Sequence, residues 1–143
     1  MKYLLDVNAL VALGFNDHEL HRRVAGWVKV LASDPHGEVA TCSITELGFV
    51  RVLAQATQYG FSVSQACSLL QQIKRAKAPR FSFVLDDHDI SRIPSWVKTA
   101  KQTTDGHLVQ LAKAKGGILA TLDEGIPGSL IIPPDVQAPP VRR

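Results

Sequence analysis

Apolar residues recur along this chain in two rhythms, short unbroken runs and positions three or four apart. Residues 3–7, Tyr-Leu-Leu-Asp-Val, form the first run. Apolar side chains on both faces of so short a segment suit a strand in a parallel sheet covered by helices. Asn8 is placed to cap a helix over 9–15, and a second helix is predicted over 18–32, with Leu20, Val24, Trp27, Val28 and Leu31 on one stripe. A turn over 33–37 leads to a strand at 39–41. Ser43 or Thr45 then caps a helix to about residue 57, Ser43 and Glu46 giving the S-x-x-E capping signature. Gly60 ends that segment. Ser62 or Ser64 opens a helix that carries Ala66, Leu69, Leu70 and Ile73 to residue 77, stopped by Pro79. A strand at 81–85, a short helix over 86–93, a helix over 105–115 capped by Thr103 or Thr104, and strands at 118–122 and 130–132 complete the pattern. Strands separated by helices imply three layers, α/β/α, around a mostly parallel sheet of four or five strands. One domain is expected over 1–132, followed by a proline-rich tail over 133–143.

Composition changes this picture little. A chain of 143 residues, 45% hydrophobic and 20% charged, supports one core. The apolar run after Lys2 is broken by Asp6 and Asn8, which argues against a signal peptide, and no stretch approaches the length of a membrane span. Cys42 and Cys67 lie in apolar-periodic segments, which predicts buried or half-buried free thiols in a reducing compartment such as the cytoplasm.

The acids carry the chemistry. Asp6 and Asp123 each close an apolar strand, and ligands of open α/β sheets bind at such strand ends. Asp105 heads the helical stripe shared with Leu108, Val109 and Ala112; Glu46 heads the stripe of Phe49, Val50 and Leu53. An acid at the head of an apolar face is costly unless it is paired or bound to a metal. Gathered carboxylates oppose one another's ionisation, and a divalent cation relieves that repulsion. Oxygen ligands without histidine or cysteine clusters select Mg2+ or Mn2+ over zinc. Such an ion suits hydrolysis of a phosphodiester by a metal-activated water. The net charge of +3 is modest, but setting these four aside leaves nine acids against sixteen Lys and Arg, a balance that attracts a polyanion.

The same residues resemble the PIN-domain ribonucleases of the VapC toxin type. The stretch from Tyr3 to Leu13 is similar to that family's first motif, with Asp6 ending the strand and Asn8 two residues on. Glu46 in Ser43-Ile44-Thr45-Glu46-Leu47, Asp105 with Leu108 and Ala112, and Thr121-Leu122-Asp123 match the later motifs in order. The resemblance spans residues 3 to about 132. It implies a PIN-like fold and a Mg2+- or Mn2+-dependent endoribonuclease, the toxin of a toxin–antitoxin pair. It further implies a cognate antitoxin protein and a homodimer. By the same resemblance Asp6, Glu46, Asp105 and Asp123 are the catalytic and metal-binding acids. Where the family often carries a basic residue after T-x-D, this chain has Glu124.

Asn8, Thr121 and Arg51 are candidate supporting or substrate contacts. His107, two positions after Asp105, points to another side of its helix and reads as a rim residue. Asp86, Asp87 and Asp89 read as a solvated loop and helix start. A receiver-like phosphoacceptor is disfavoured because Asp6 stands alone after its strand, and an aspartyl-nucleophile hydrolase because Asp6-Val7-Asn8 is not D-x-D. A catalytically silent RNA- or protein-binding module on the same fold is the remaining alternative.

Overall fold

A computed structural model describes residues 1–134. The strands are β1 (Lys2–Leu5), β2 (Glu38–Thr41), β3 (Arg80–Phe83), β4 (Gly117–Thr121) and β5 (Leu130–Ile131). The helices are α1 (Val7–Gly14), α2 (His21–Leu31), α3 (Ser43–Gln55), α4 (Val63–Lys74) and α5 (Thr103–Ala114). Every strand pairing is parallel, and the sheet order is β3-β2-β1-β4-β5.

The alternation of side chains along a strand divides the core in two. Leu5, Val39 and Ala120 pack under α1 to α4 with Val24, Phe49, Leu53 and Leu70. Their strand neighbours Leu4, Ala40 and Leu119 face the opposite way, onto Leu108, Leu111 and Ala112 of α5. The three-layer α/β/α expectation therefore holds. The apolar runs are short because the central strands β1, β2 and β4 are only four or five residues long.

The chain builds outwards from β1 to β3 and then returns to lay β4 on the other side of β1. The reversal between β1 and β4 is a topological switch point, where connections diverge and leave a crevice at the carboxyl ends of the strands. Trp27 lies in the core, edge-on to Tyr3 at 5.1 Å. Arg23 of α2 donates through Nε to the carbonyl of Ile132 at 2.8 Å, tying down the end of the sheet.

Several local expectations are corrected. The α1 cap is Asp6, whose carboxylate accepts from the Ala9 N–H; Asn8 is already within the helix and exposed. The S-x-x-E signature does not form: Cys42 is the cap of α3, its N–H donating to the Thr45 hydroxyl at 3.0 Å. Neither Thr103 nor Thr104 caps a helix at Asp105, because a 3-10 turn over Ala100–Gln102 runs directly into α5 at Thr103. The predicted helix over 86–93 contracts to a single 3-10 turn at Ile90–Arg92, capped by Asp89. The helix predicted from residue 18 starts at His21, since 18–20 form a turn. Cys42 is buried as expected, whereas Cys67 is exposed; both are free. The predicted tail lies, from residue 135 onwards, outside the described residues.

Candidate active site

Asp6 follows β1 and is only 6% exposed. Its own N–H donates to the Ala120 carbonyl at 3.1 Å, so its backbone still belongs to the ladder with β4. One carboxylate oxygen accepts from the Ala9 N–H at 2.8 Å, and the other accepts from the Thr121 hydroxyl. Thr121 ends β4 and is itself buried. Its oxygen also accepts from the Asp123 N–H at 3.0 Å, so one hydroxyl joins the ends of both central strands. Asp123 is exposed, with Oδ1 accepting from the Gly125 N–H at 2.8 Å.

Asp105 is half-buried in the first turn of α5. Three carboxylates are thereby close enough to act on one another. Burial raises the Asp6 carboxyl above its usual range against the hydrogen bonds from Thr121 and Ala9, and the charges of Asp105 and Asp123 push it further. Asp105 is raised by burial and then by Asp123. Among the described residues, no Lys or Arg is among the causes of either shift.

Glu46 differs. It is half-buried on α3, and its Oε2 accepts from the Thr41 hydroxyl at 2.6 Å and from Lys74 Nζ at 2.5 Å. The Lys74 ammonium also lies 5.4 Å from the centroid of the Phe83 ring. Lys74 ends α4, twenty-eight residues beyond Glu46, and no local pattern joins the two in sequence. An ammonium there could be found only by knowing that α4 returns beside α3. Arg51, the expected basic contact, is exposed on α3. Five residues past Glu46 it points about 140° around the helix, away from the acid.

Glycine sets how near the acid-bearing helices lie to their neighbours. A Cβ at Gly48 would stand 2.4 Å from Val7 Cγ2, so α3 and α1 meet where Gly48 lacks a side chain. At Gly106, the residue after Asp105, it would stand 2.3 Å from Val97 Cγ2.

His107 is not a free rim residue: Nε2 lies 2.6 Å from Asp86 Oδ2, and Nδ1 lies 3.4 Å from Gln110. Gln110 in turn meets His88 at 2.6 Å, and Lys115 donates to Asp87 at 2.8 Å. The acidic loop is exposed as expected, and Asp86 and Asp87 also tie it to His107 of α5 and to Lys115 just beyond it.

Among the described residues, no three acidic, histidine or cysteine side chains are gathered so as to enclose a metal ion. The donor chemistry nevertheless fits a hard divalent cation. Asp6, Asp105 and Asp123 are oxygen donors whose mutual repulsion such an ion would relieve, and Glu46 keeps one oxygen outside its two hydrogen bonds. A crevice of about 300 Å3 opens beside Asn8, His18, Leu20, Leu122 and Asp123, giving the acid side access to solvent.

Residues 3–127 match the PIN domain. Among curated proteins the chain is similar to three from Mycobacterium tuberculosis. It is 35% identical to Ribonuclease VapC38 over 128 residues, 86% of each chain. It is 36% identical to Ribonuclease VapC44 over 135 residues, 88% of this chain and 89% of that one. It is 31% identical to Ribonuclease VapC39 over 138 residues, 90% and 94% of the two chains.

Proposed function

The chain belongs to the PIN-domain family, among its VapC-type members, and from that premise we propose that it is a Mg2+- or Mn2+-dependent endoribonuclease. We further propose that it serves as the toxin of a toxin–antitoxin pair. The observation that carries the reading is the gathering of Asp6, Asp105 and Asp123 at the β1/β4 switch point, near enough for their charges to act on one another.

Asp6, Asp105 and Asp123 would hold the cation, with Glu46 completing the set. A divalent ion bound there supplies positive charge to the scissile phosphate and lowers the pKa of a water. The protein's share of the work is orientation. The Ala9 N–H and Thr121 hydroxyl fix both oxygens of Asp6, so its carboxylate is positioned before any ligand arrives. The same hydroxyl holds the backbone of Asp123, and Thr41 fixes Glu46. Lys74, already at the Glu46 carboxylate, is the cation best placed to meet a phosphate oxygen, replacing Arg51 in that role. Asn8 lines the crevice beside Asp123 and faces substrate there.

The relatives named above are ribonucleases, which supports RNA as substrate. The family resemblance supports a cognate antitoxin and a homodimer. No helix among the described residues is long and apolar enough to cross a membrane. Two free thiols support a reducing cytoplasm as the place of action. Cleavage of mixed cellular RNA, titrated with Mg2+ and Mn2+ and with its ends mapped, tests the reading against Asp6→Asn. Metal-dependent cuts carrying 5′-phosphates, absent from the variant, are expected. Equal cleavage by the two proteins would overturn the role of these acids, and none by either would overturn the reading and leave a silent binding module.

A further inference from the structure

The crevice beside Asp123 does not end at the acids. His18, at the turn before α2, lines it and also lines a second cavity of about 370 Å3 with Phe15, Asp17, Glu19, Gln58 and Tyr59. Two chain segments build this second cavity, the α1–α2 turn and the turn that follows α3.

Its chemistry differs from that of the site. Among the described residues, two carboxylates and no Lys or Arg line it, a charge that disfavours a phosphate group. Its apolar part is aromatic and held in place: Tyr59 stands edge-on to Phe15 with centroids 4.7 Å apart and planes at 89°, and Phe15 meets Phe61 at 6.2 Å. His18 is oriented by the Leu20 N–H, which donates to its Nδ1 at 3.0 Å. That bond assigns the ring proton to Nε2 in the neutral imidazole, leaving an N–H donor at the junction of the two cavities. A fixed aromatic surface, an amide and carboxylates beside a phosphodiester-sized crevice match an unstacked nucleobase, read on its edge.

We propose that this cavity is a nucleobase subsite selecting guanine at a fixed position from the scissile bond. Guanine presents two adjacent donors, N1–H and the N2 amine, to a carboxylate, whereas uracil presents one and adenine and cytosine present an amine beside an acceptor. The Asp17 and Glu19 carboxylates are the acceptors, the Tyr59 ring packs against the base, and His18 Nε2–H meets the connecting backbone. The inference rests on the ribonuclease reading above and names the substrate feature that reading leaves open.

The test uses the full chain and short single-stranded RNAs that differ only in one guanine, replaced in turn by inosine or adenine. Cleavage is followed in Mn2+, and binding by fluorescence anisotropy in Ca2+. Wild-type protein is expected to prefer guanine over inosine by about tenfold, the value of one charge-assisted hydrogen bond. Asp17→Asn/Glu19→Gln, two exposed positions, is expected to treat guanine and inosine alike at an unchanged melting temperature. A guanine preference that survives in this double variant, or no preference in the wild type, overturns the subsite. So does a loss confined to binding of an arginine-rich peptide, which would assign the cavity to a basic protein segment. Guanine-selective binding without cleavage keeps the subsite and removes the ribonuclease reading; cleavage without selectivity does the reverse.

Discussion

Two acidic regions of the molecule solve one electrostatic problem in opposite ways. At the β1/β4 crevice, Asp6, Asp105 and Asp123 lie near one another, and burial, followed by the charges of neighbouring acids, raises the proton affinities of Asp6 and Asp105. At the α3/α4 contact, Glu46 is answered from within the protein by Lys74 and Thr41. On the proposed reading, one region receives a charge from a bound cation and the other carries its own. Clustered acids therefore do not by themselves mark a metal site; the local supply of cations decides.

The comparison breaks most sharply at Asp6. Asp6→Asn is expected to reduce metal-dependent RNA cleavage by more than about a hundredfold, since even the partners of a metal ligand are worth ten- to a hundredfold. Thermal stability of the metal-free protein at neutral pH should hold or rise, because a buried charge is removed while the oxygen that caps α1 remains. Single-turnover cleavage beside a melting curve separates the two effects.

Next in size is Gly48→Ala. The added carbon meets the stiff β-branched Val7 side chain and should cost about 1–3 kcal/mol in denaturant unfolding. Val7→Ala in the same chain should recover part of the loss. If the single variant is as stable as wild type, α1 and α3 are not held apart by this contact.

Lys74→Met should cost about 1 kcal/mol, as expected of a partly exposed ion pair. Mn2+ affinity, measured by titration calorimetry, should rise several-fold once Glu46 has lost its internal partner. Unchanged stability and unchanged affinity together would erase the distinction between the two sides.

The smallest effect is a slope. Asp6 and Asp105 have raised pKa values in the folded chain, so between the ordinary value and the raised one the native state binds more protons than the unfolded state. Their contribution makes the metal-free protein more stable as pH falls through the raised values, and less stable as pH rises through them. Asp86, which burial would raise but which His107 and the His88 N–H together hold below its usual range, contributes in the opposite sense. The difference between wild type and Asp6→Asn across pH isolates the Asp6 part, and a difference independent of pH would refute it.

Much of this was legible in sequence because the fold translates order into position. An acid directly after a buried run, as at Asp6 and Asp123, ends a parallel strand, and all such ends lie on one edge of the sheet. Glu46 was legible as an acid out of place on an apolar stripe, but its partner was not, because Lys74 depends on α4 returning against β3. The caps at Asn8 and Ser43 failed for a shared reason. Helix starts were inferred from the first polar residue after a strand, yet Asp6 caps from the strand end itself, and Thr45 closes the turn at Cys42 from inside α3. His18 carried no periodic signal, since it acts from a turn.

Gly48 and Gly106 stand two residues and one residue from acids of the site, each where a neighbouring valine leaves no room for a methyl group. The seating of the helices that carry Glu46 and Asp105 thus depends on close apolar contacts at these two glycines. A descendant of this gene could keep every carboxylate and fall silent by gaining a single carbon atom at either glycine. An inventory of its acids would still read as that of a working enzyme.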